Sequence, residues 1–191
     1  MWAGRSMFAA MWKPLLLLCL LARAAAAQTT LPLDSVSGKV TYTGVVQVPG
    51  ASAAELYSRG REWFAYTFGS SKTVLEMDDY EAGKLIGRAY AQFDFAAGIG
   101  RPQPWALWRK IKVEVKEGKY RYTISDFVLG GPISQPDAST HPLESWLAPT
   151  IARGKRPGNM VLSVIAGADA TGKQEAASLQ AAMGKKPGGD F

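Results

Sequence analysis

Residues 38–68 read GKVTYTGVVQVPGASAAELYSRGREWFAYTF, and the change of period inside them decides the fold. Val40, Tyr42, Val46 and Val48 fall on one side of an extended chain; Thr41, Thr43, Val45 and Gln47 fall on the other. β-Branched and aromatic residues dominate, so 39–48 is expected to be a strand with one half-polar face. Pro49-Gly50 stops it. Ser52 and Glu55 have the spacing of a capping box, in which hydroxyl and carboxylate satisfy amide groups that the first helical turn leaves unpaired. A helix over 53–68 follows, with Leu56, Gly60, Trp63, Phe64, Thr67 and Phe68 along one stripe at steps of three and four. Gly60 costs about 1 kcal/mol of helix propensity against alanine, which implies a close approach to a sheet.

Working outward, 73–77 is expected to be a short strand and Asp78–Gly83 a turn, with Gly83 free to take a positive φ. Residues 84–95 alternate Leu85, Gly87, Ala89, Ala91 and Phe93 against Ile86, Arg88, Tyr90, Gln92 and Asp94. The small residues of the first set leave room for the Trp63 side of the helix. Residues 96–104 are Gly- and Pro-rich and read as a loop, with Trp105 and Trp108 at its end. Strands at 109–116 and 120–129 form a hairpin about Glu117-Gly118, with Ile111, Val113, Val115, Tyr120, Tyr122 and Ile124 facing in. A short helix over 143–151 is expected inside an irregular connection spanning 131–158. Residues 159–183 carry a helical stripe through Val161, Ile165, Ala168, Gly172, Ala176, Leu179 and Met183, with Gly167 and Gly172 weakening its middle. The polar, glycine-rich 184–191 reads as a disordered tail.

The YTGVVQVPG of 42–50, the ELYSRGREWF of 55–64 and the EGKYRYTISDF of 117–127 resemble a bacterial family of exported domains of unknown function with a TATA-binding-protein-like (TBP-like) fold. The resemblance covers roughly 40–129. It implies an α+β fold in which strand, helix, four strands and a final helix make one mainly antiparallel five-stranded sheet with helices on one face. These motifs are a strand end, a helix stripe and a hairpin. They carry no catalytic residue over to this chain, and a fold does not imply a function.

Residues 1–27 have the plan of a secretory signal peptide: a positive Lys13, an apolar run over 15–21, and Ala25-Ala26-Ala27 before Gln28. Cleavage is expected between Ala27 and Gln28, and either Met1 or Met11 serves as the start. The run is shorter than the ~20 residues that span a bilayer, so no stable membrane anchor is expected after cleavage. Residues 28–38 then form a flexible leader, and 39–130 the TBP-like domain. The whole chain has 22 basic and 16 acidic residues, a formal charge of +6. Without Arg5, Lys13 and Arg23 the mature chain keeps 19 basic residues, a net of +3. So small an excess calls for no nucleic acid partner. Cys19, the only cysteine, follows the large Leu18 inside the apolar run, which does not fit a lipidation site. The mature chain is therefore without disulfides, thiol nucleophile or cysteine metal site, and localisation is expected in the periplasm or outside the cell.

Chemistry-bearing residues are sparse. His141, the only histidine, lies beside Pro142 with no second histidine for a metal and no G-x-S-x-G elbow for a triad. It reads as a surface residue. Asp78, Asp79 and Glu81 cluster in a turn without EF-hand spacing, and read as a solvated turn. Gly98 and Gly100 lack the third glycine and helix of a dinucleotide loop. No metal, cofactor or catalytic residue is expected.

What remains is the sheet face turned away from the helices. Alternation puts Arg88, Tyr90, Gln92, Lys110, Lys112, Lys116, Arg121 and Thr123 there, flanked by Trp105 and Trp108. That basic strip is the expected binding face, for an anionic or carbohydrate ligand or an envelope protein. The bland counterpart is a solvated face whose lysines discourage aggregation. The reading is thus an exported, soluble, non-enzymatic binding or interaction module of unknown ligand. One alternative is a hydrolase-like periplasmic enzyme working through carboxylates such as Asp78, Asp79 or Asp126. Another is an envelope-assembly component docking by its sheet edge or C-terminal helix.

Overall fold

A computed structural model describes residues 31–69, 71–95, 101–138, 140–152 and 157–185. The elements are β1 (Tyr42–Gln47), α1 (Ala53–Phe68), α2 (Ser71–Val74), β2 (Leu75–Asp79), β3 (Lys84–Phe95), β4 (Gln103–Lys116), β5 (Lys119–Pro132), β6 (His141–Pro142), α3 (Leu143–Ala152) and α4 (Asn159–Met183). The strands form one antiparallel sheet in the order β1-β5-β4-β3-β2, and the two-residue β6 adds to β5 beyond the end of β1. The chain therefore has the expected α+β architecture. The signal segment 1–27, with Ala27 and Gln28, lies outside the described residues, as do 96–100 and 186–191.

The opening stretch folds as its residues dictate. The Ser52 hydroxyl accepts from the Glu55 amide at 3.2 Å, and the Glu55 carboxylate accepts from the Ser52 amide at 2.8 Å. The helix ends at Gly69, whose φ of 75° is the left-handed conformation that glycine adopts without a Cβ penalty. Leu56, Tyr57, Gly60, Trp63 and Phe64 are buried, whereas Thr67, expected on the same stripe, is exposed. Burying each large apolar side chain contributes about 1.5–3 kcal/mol, well above the propensity lost at Gly60. A Cβ at Gly60 would lie 2.9 Å from Leu85 Cδ1, so the glycine does allow the expected close approach. Gly87 makes room for the Phe64 ring, not for Trp63: a Cβ there would meet Phe64 Cε1 at 2.6 Å.

In the described part of the leader Leu33 bridges Val40, and the Asp34 amide donates to the Lys39 carbonyl at 2.9 Å. Three expectations about element bounds are corrected. The strand expected at 73–77 starts at Leu75, after the helical turn of α2. The loop expected to run to 104 ends sooner, because β4 begins at Gln103 and takes in both Trp105 and Trp108. The irregular connection expected from 131 begins later, since β5 continues to Pro132, and the same stretch contains β6. Two bulges make the long hairpin possible. Trp108 pairs with Val128 and Lys110 with Ser125, so Arg109 opposes both Asp126 and Phe127. Asp126 takes φ 52°, and its carboxylate holds the Lys39 ammonium at 2.5 Å. Such a bulge increases twist and re-aims the side chains around it.

The helices pack on one face of the sheet. The core joins Leu56, Trp63 and Phe64 of α1 to Leu85, Phe93, Leu107, Ile111, Val113, Ile124 and Phe127 of the strands, and to Val164, Ala168, Leu179 and Met183 of α4. α4 is continuous, and its two weak points have a packing reason. A Cβ at Gly167 would lie 2.7 Å from the Phe93 ring, and one at Gly172 only 2.3 Å from that of Tyr42. Gly184, expected in the tail, instead caps α4 by donating to the Gln180 carbonyl at 3.0 Å. Among the described residues no helix is long and apolar enough to cross a membrane.

Candidate functional site

The pleat sends alternate residues of β3, β4 and β5 to opposite faces, and this decides which polar groups meet solvent. On the open face Arg88 stands opposite Lys110, and Tyr90 opposite Trp108. Lys112 stands opposite Thr123, and Glu114 opposite Arg121. Arg88, Tyr90, Lys110, Lys112, Arg121 and Thr123 thus share the face on which alternation put them. Gln92 and Lys116 are exposed on it as well.

The strip is less basic than its lysines and arginines suggest, because carboxylates are interleaved with them. Glu76 lies 3.6 Å from Lys110, and Glu114 lies 3.2 Å from Lys112 and 2.9 Å from Arg121. Partial burial pushes the Glu114 carboxyl up, but the hydrogen bonds from Lys112 and Arg121 outweigh it and hold the group below the usual glutamate range. The Arg88 guanidinium has no carboxylate partner among the described residues. It lies 5.0 Å over the Trp108 ring instead, and Tyr90 packs against the same indole with ring centroids 5.0 Å apart. The Trp108 indole N–H donates to the Pro136 carbonyl at 3.4 Å, so the connection after β5 closes one end of the face.

Trp105 is not part of this group. It pairs with Phe93 on the helix side and stacks on Phe95 with centroids 4.1 Å apart, so it belongs to the edge of the core. His141 is exposed in β6. The carboxylates proposed for catalysis do not converge. Asp78 accepts from the Tyr57 hydroxyl at 2.5 Å and from Arg61 Nε at 2.8 Å, clasping α1 to β2. Burial, and then this hydrogen bond, push the Tyr57 hydroxyl above the usual tyrosine range. Asp79 accepts from the Ala82 amide at 2.9 Å within the turn, and Asp126 is engaged by Lys39. Among the described residues no group of three or more histidine, aspartate or glutamate side chains is placed to hold a metal.

The polar cluster that the sequence reading missed lies under α4. Arg109 is 2% exposed, and its guanidinium pairs with Glu175 through two contacts, one of them Nε to Oε2 at 2.9 Å. Phe68 covers it, with the guanidinium carbon 5.5 Å from the ring centroid. Burial lowers the guanidinium to about 10, which leaves it charged at neutral pH. Nearly two turns earlier on α4, Asp169 accepts from the Tyr42 hydroxyl at 3.0 Å and from Lys173 at 2.6 Å. Two signals could have found the cluster. Arg109 is in phase with Ile111 and Val113, and Glu175 lies three residues after Gly172 on the stripe of α4.

Residues 42–129 match the family described as a domain of unknown function, DUF4468, with TBP-like fold. This is the resemblance carried by 42–50, 55–64 and 117–127. The chain is similar to the crystal structure of a DUF4468 family protein from Bacteroides ovatus, with a TM-score of 0.63 and 16% identity over 81% of this chain and 91% of that one. It is also similar to a TBP-like protein from Parabacteroides distasonis, with a TM-score of 0.55 and 16% identity over 78% of this chain and 97% of that one. No curated protein matches. At this identity the likeness is one of fold.

Proposed function

We propose that the chain is an exported, non-enzymatic binding module whose ligand seats on the open face of the sheet. The observation that carries this reading is the uncovered centre of that face, where Arg88 is stacked on Trp108, lacks a carboxylate among the described residues, and stands beside the exposed Tyr90. Binding is favoured over hydrolysis because the carboxylates of the adjacent Asp78 and Asp79 take different partners, Asp126 lies on another strand, and each is engaged in a structural bond. A general acid and base must instead converge on one reacting group. Export rests on the pattern of residues 1–27, with the mature chain beginning at Gln28 in the periplasm or outside the cell.

Two measurements test the reading. The mature chain, tagged and immobilised, should capture a component of a bacterial envelope extract. Arg88→Glu combined with Arg121→Glu should abolish that capture with an unchanged melting temperature; undiminished capture would sink the proposal for this face. Mass spectrometry of the exported protein should find an N-terminus at Gln28, and a mature chain beginning elsewhere contradicts the cleavage site.

A further inference from the structure

We infer that the open face binds an acidic saccharide, with a ring carboxylate on Arg88 and the sugar's C–H face against Tyr90. The inference rests on the reading of that face as the binding face, and adds the class of ligand.

Four cations occupy the middle of the face, and three already have anions: Lys110 has Glu76, while Lys112 and Arg121 share Glu114. Arg88 alone of these four is without one among the described residues, so an incoming anion meets unspent positive charge there; Lys116, toward the hairpin turn, forms no ion pair among the described residues either, but only Arg88 stands beside an exposed aromatic ring. Cation–π contact with Trp108 holds the guanidinium in place. A planar donor fork fixed in advance loses little side-chain freedom on binding, and its geometry suits a carboxylate taken in bidentate fashion.

Tyr90 is two residues along β3, about 7 Å away at the usual strand rise, and points to the same face. It is 40% exposed and steadied by the same indole. A guanidinium and a partly bare aromatic ring at that separation suit one pyranose bearing a carboxylate. Lys110, directly opposite Arg88 and roughly 5 Å away on the next strand, offers a second anchor. Its pair with Glu76 is long and half exposed, which makes it weak and exchangeable for a ligand carboxylate. A run of acidic sugars therefore fits the face better than a single one.

A peptide strand would add at the side of β3 beyond Gly87, where β2 no longer pairs, and would bind there through backbone groups, not through the Arg88 and Tyr90 side chains of the face.

Calorimetric titration of the mature chain with a short oligogalacturonate, and with its methyl ester, tests the inference. The acid should bind and the ester should not, and added salt should weaken the binding. Arg88→Ala should lower affinity roughly ten- to a hundredfold, as for loss of a hydrogen bond to a charged group. Arg88→Lys should restore part of that loss, and Tyr90→Ala should weaken binding several-fold. Equal binding of acid and ester, no binding of either, or an Arg88→Ala variant that binds like the parent would overturn the inference. The broader reading falls only if envelope capture also survives Arg88→Glu with Arg121→Glu.

Discussion

Arg109 and Lys110 are consecutive residues of β4, carry the same charge, and meet opposite environments. Arg109 is sealed between the sheet, Phe68 and Glu175, while Lys110 reaches a half-exposed Glu76 across 3.6 Å of surface. The pleat alone separates them. On the helix side the pair is desolvated, and neither member can leave without stranding the other's charge. On the open side water and salt replace either partner at little cost. The covered face therefore uses charge to fix α4 in place, and the open face keeps charge available for exchange.

The comparison can be broken most severely at Glu175. Glu175→Ala strands a buried guanidinium and should cost about 3–5 kcal/mol of unfolding free energy in urea. Replacing both partners, with Arg109→Met and Glu175→Leu, should recover most of that. If the double variant stays as unstable as the single, the pair is more than a mutual neutralisation.

Gly172→Ala should come next. Its Cβ would fall within 3 Å of the Tyr42 ring, which is fixed by an edge contact with Phe127 and by its bond to Asp169. Overpacking costs about 1–3 kcal/mol and outweighs the ~1 kcal/mol of added helix propensity. Thermal unfolding of the variant should show a net loss, and a gain would mean that α4 is free to shift off the sheet.

Alkaline pH sharpens the contrast by a smaller margin. Burial raises the Tyr120 hydroxyl from 10.0 to about 12. Between those values the unfolded chain loses the proton and the folded one keeps it, so this group's contribution to stability falls as pH rises. The lowered Arg109 works in the opposite sense. The difference between the parent and Tyr120→Phe isolates the tyrosine: from about pH 10 to 12 the variant should gain stability relative to the parent. A constant difference across that window would contradict the buried, raised hydroxyl.

At the far end, Glu76→Gln on the open face should change stability by no more than about 0.5 kcal/mol.

Much of this contrast was legible in the sequence. Period two in 84–95 and 109–124 sorted the open-face residues correctly, because one face of an antiparallel sheet is buried and a slip of one residue would invert every side chain. The capping box and the stripe of α1 were equally plain. The misses have physical reasons. Trp105 is expected only to flank the open face, because a Gly- and Pro-rich approach hides the start of β4 and the phase of its first residues. Bulges at Ala106 and Arg109 also depend on Gly130, Gly131 and Asp126, whose conformations have no period to read. Arg109 was passed over because arginine on a core-facing position is expected only with a partner, and Glu175 is 66 residues away in sequence. The neutralisation of the basic strip was missed for a similar reason: Glu76 faces Lys110 only through the pairing of two further strands.

Equilibrium urea unfolding of Arg88→Ala beside Glu175→Ala tests most directly the claim that the two faces of one sheet have separate roles. The account predicts a loss of about 1 kcal/mol or less for Arg88→Ala and about 3 kcal/mol or more for Glu175→Ala. Comparable losses in the two variants, or a larger one for Arg88→Ala, would contradict it.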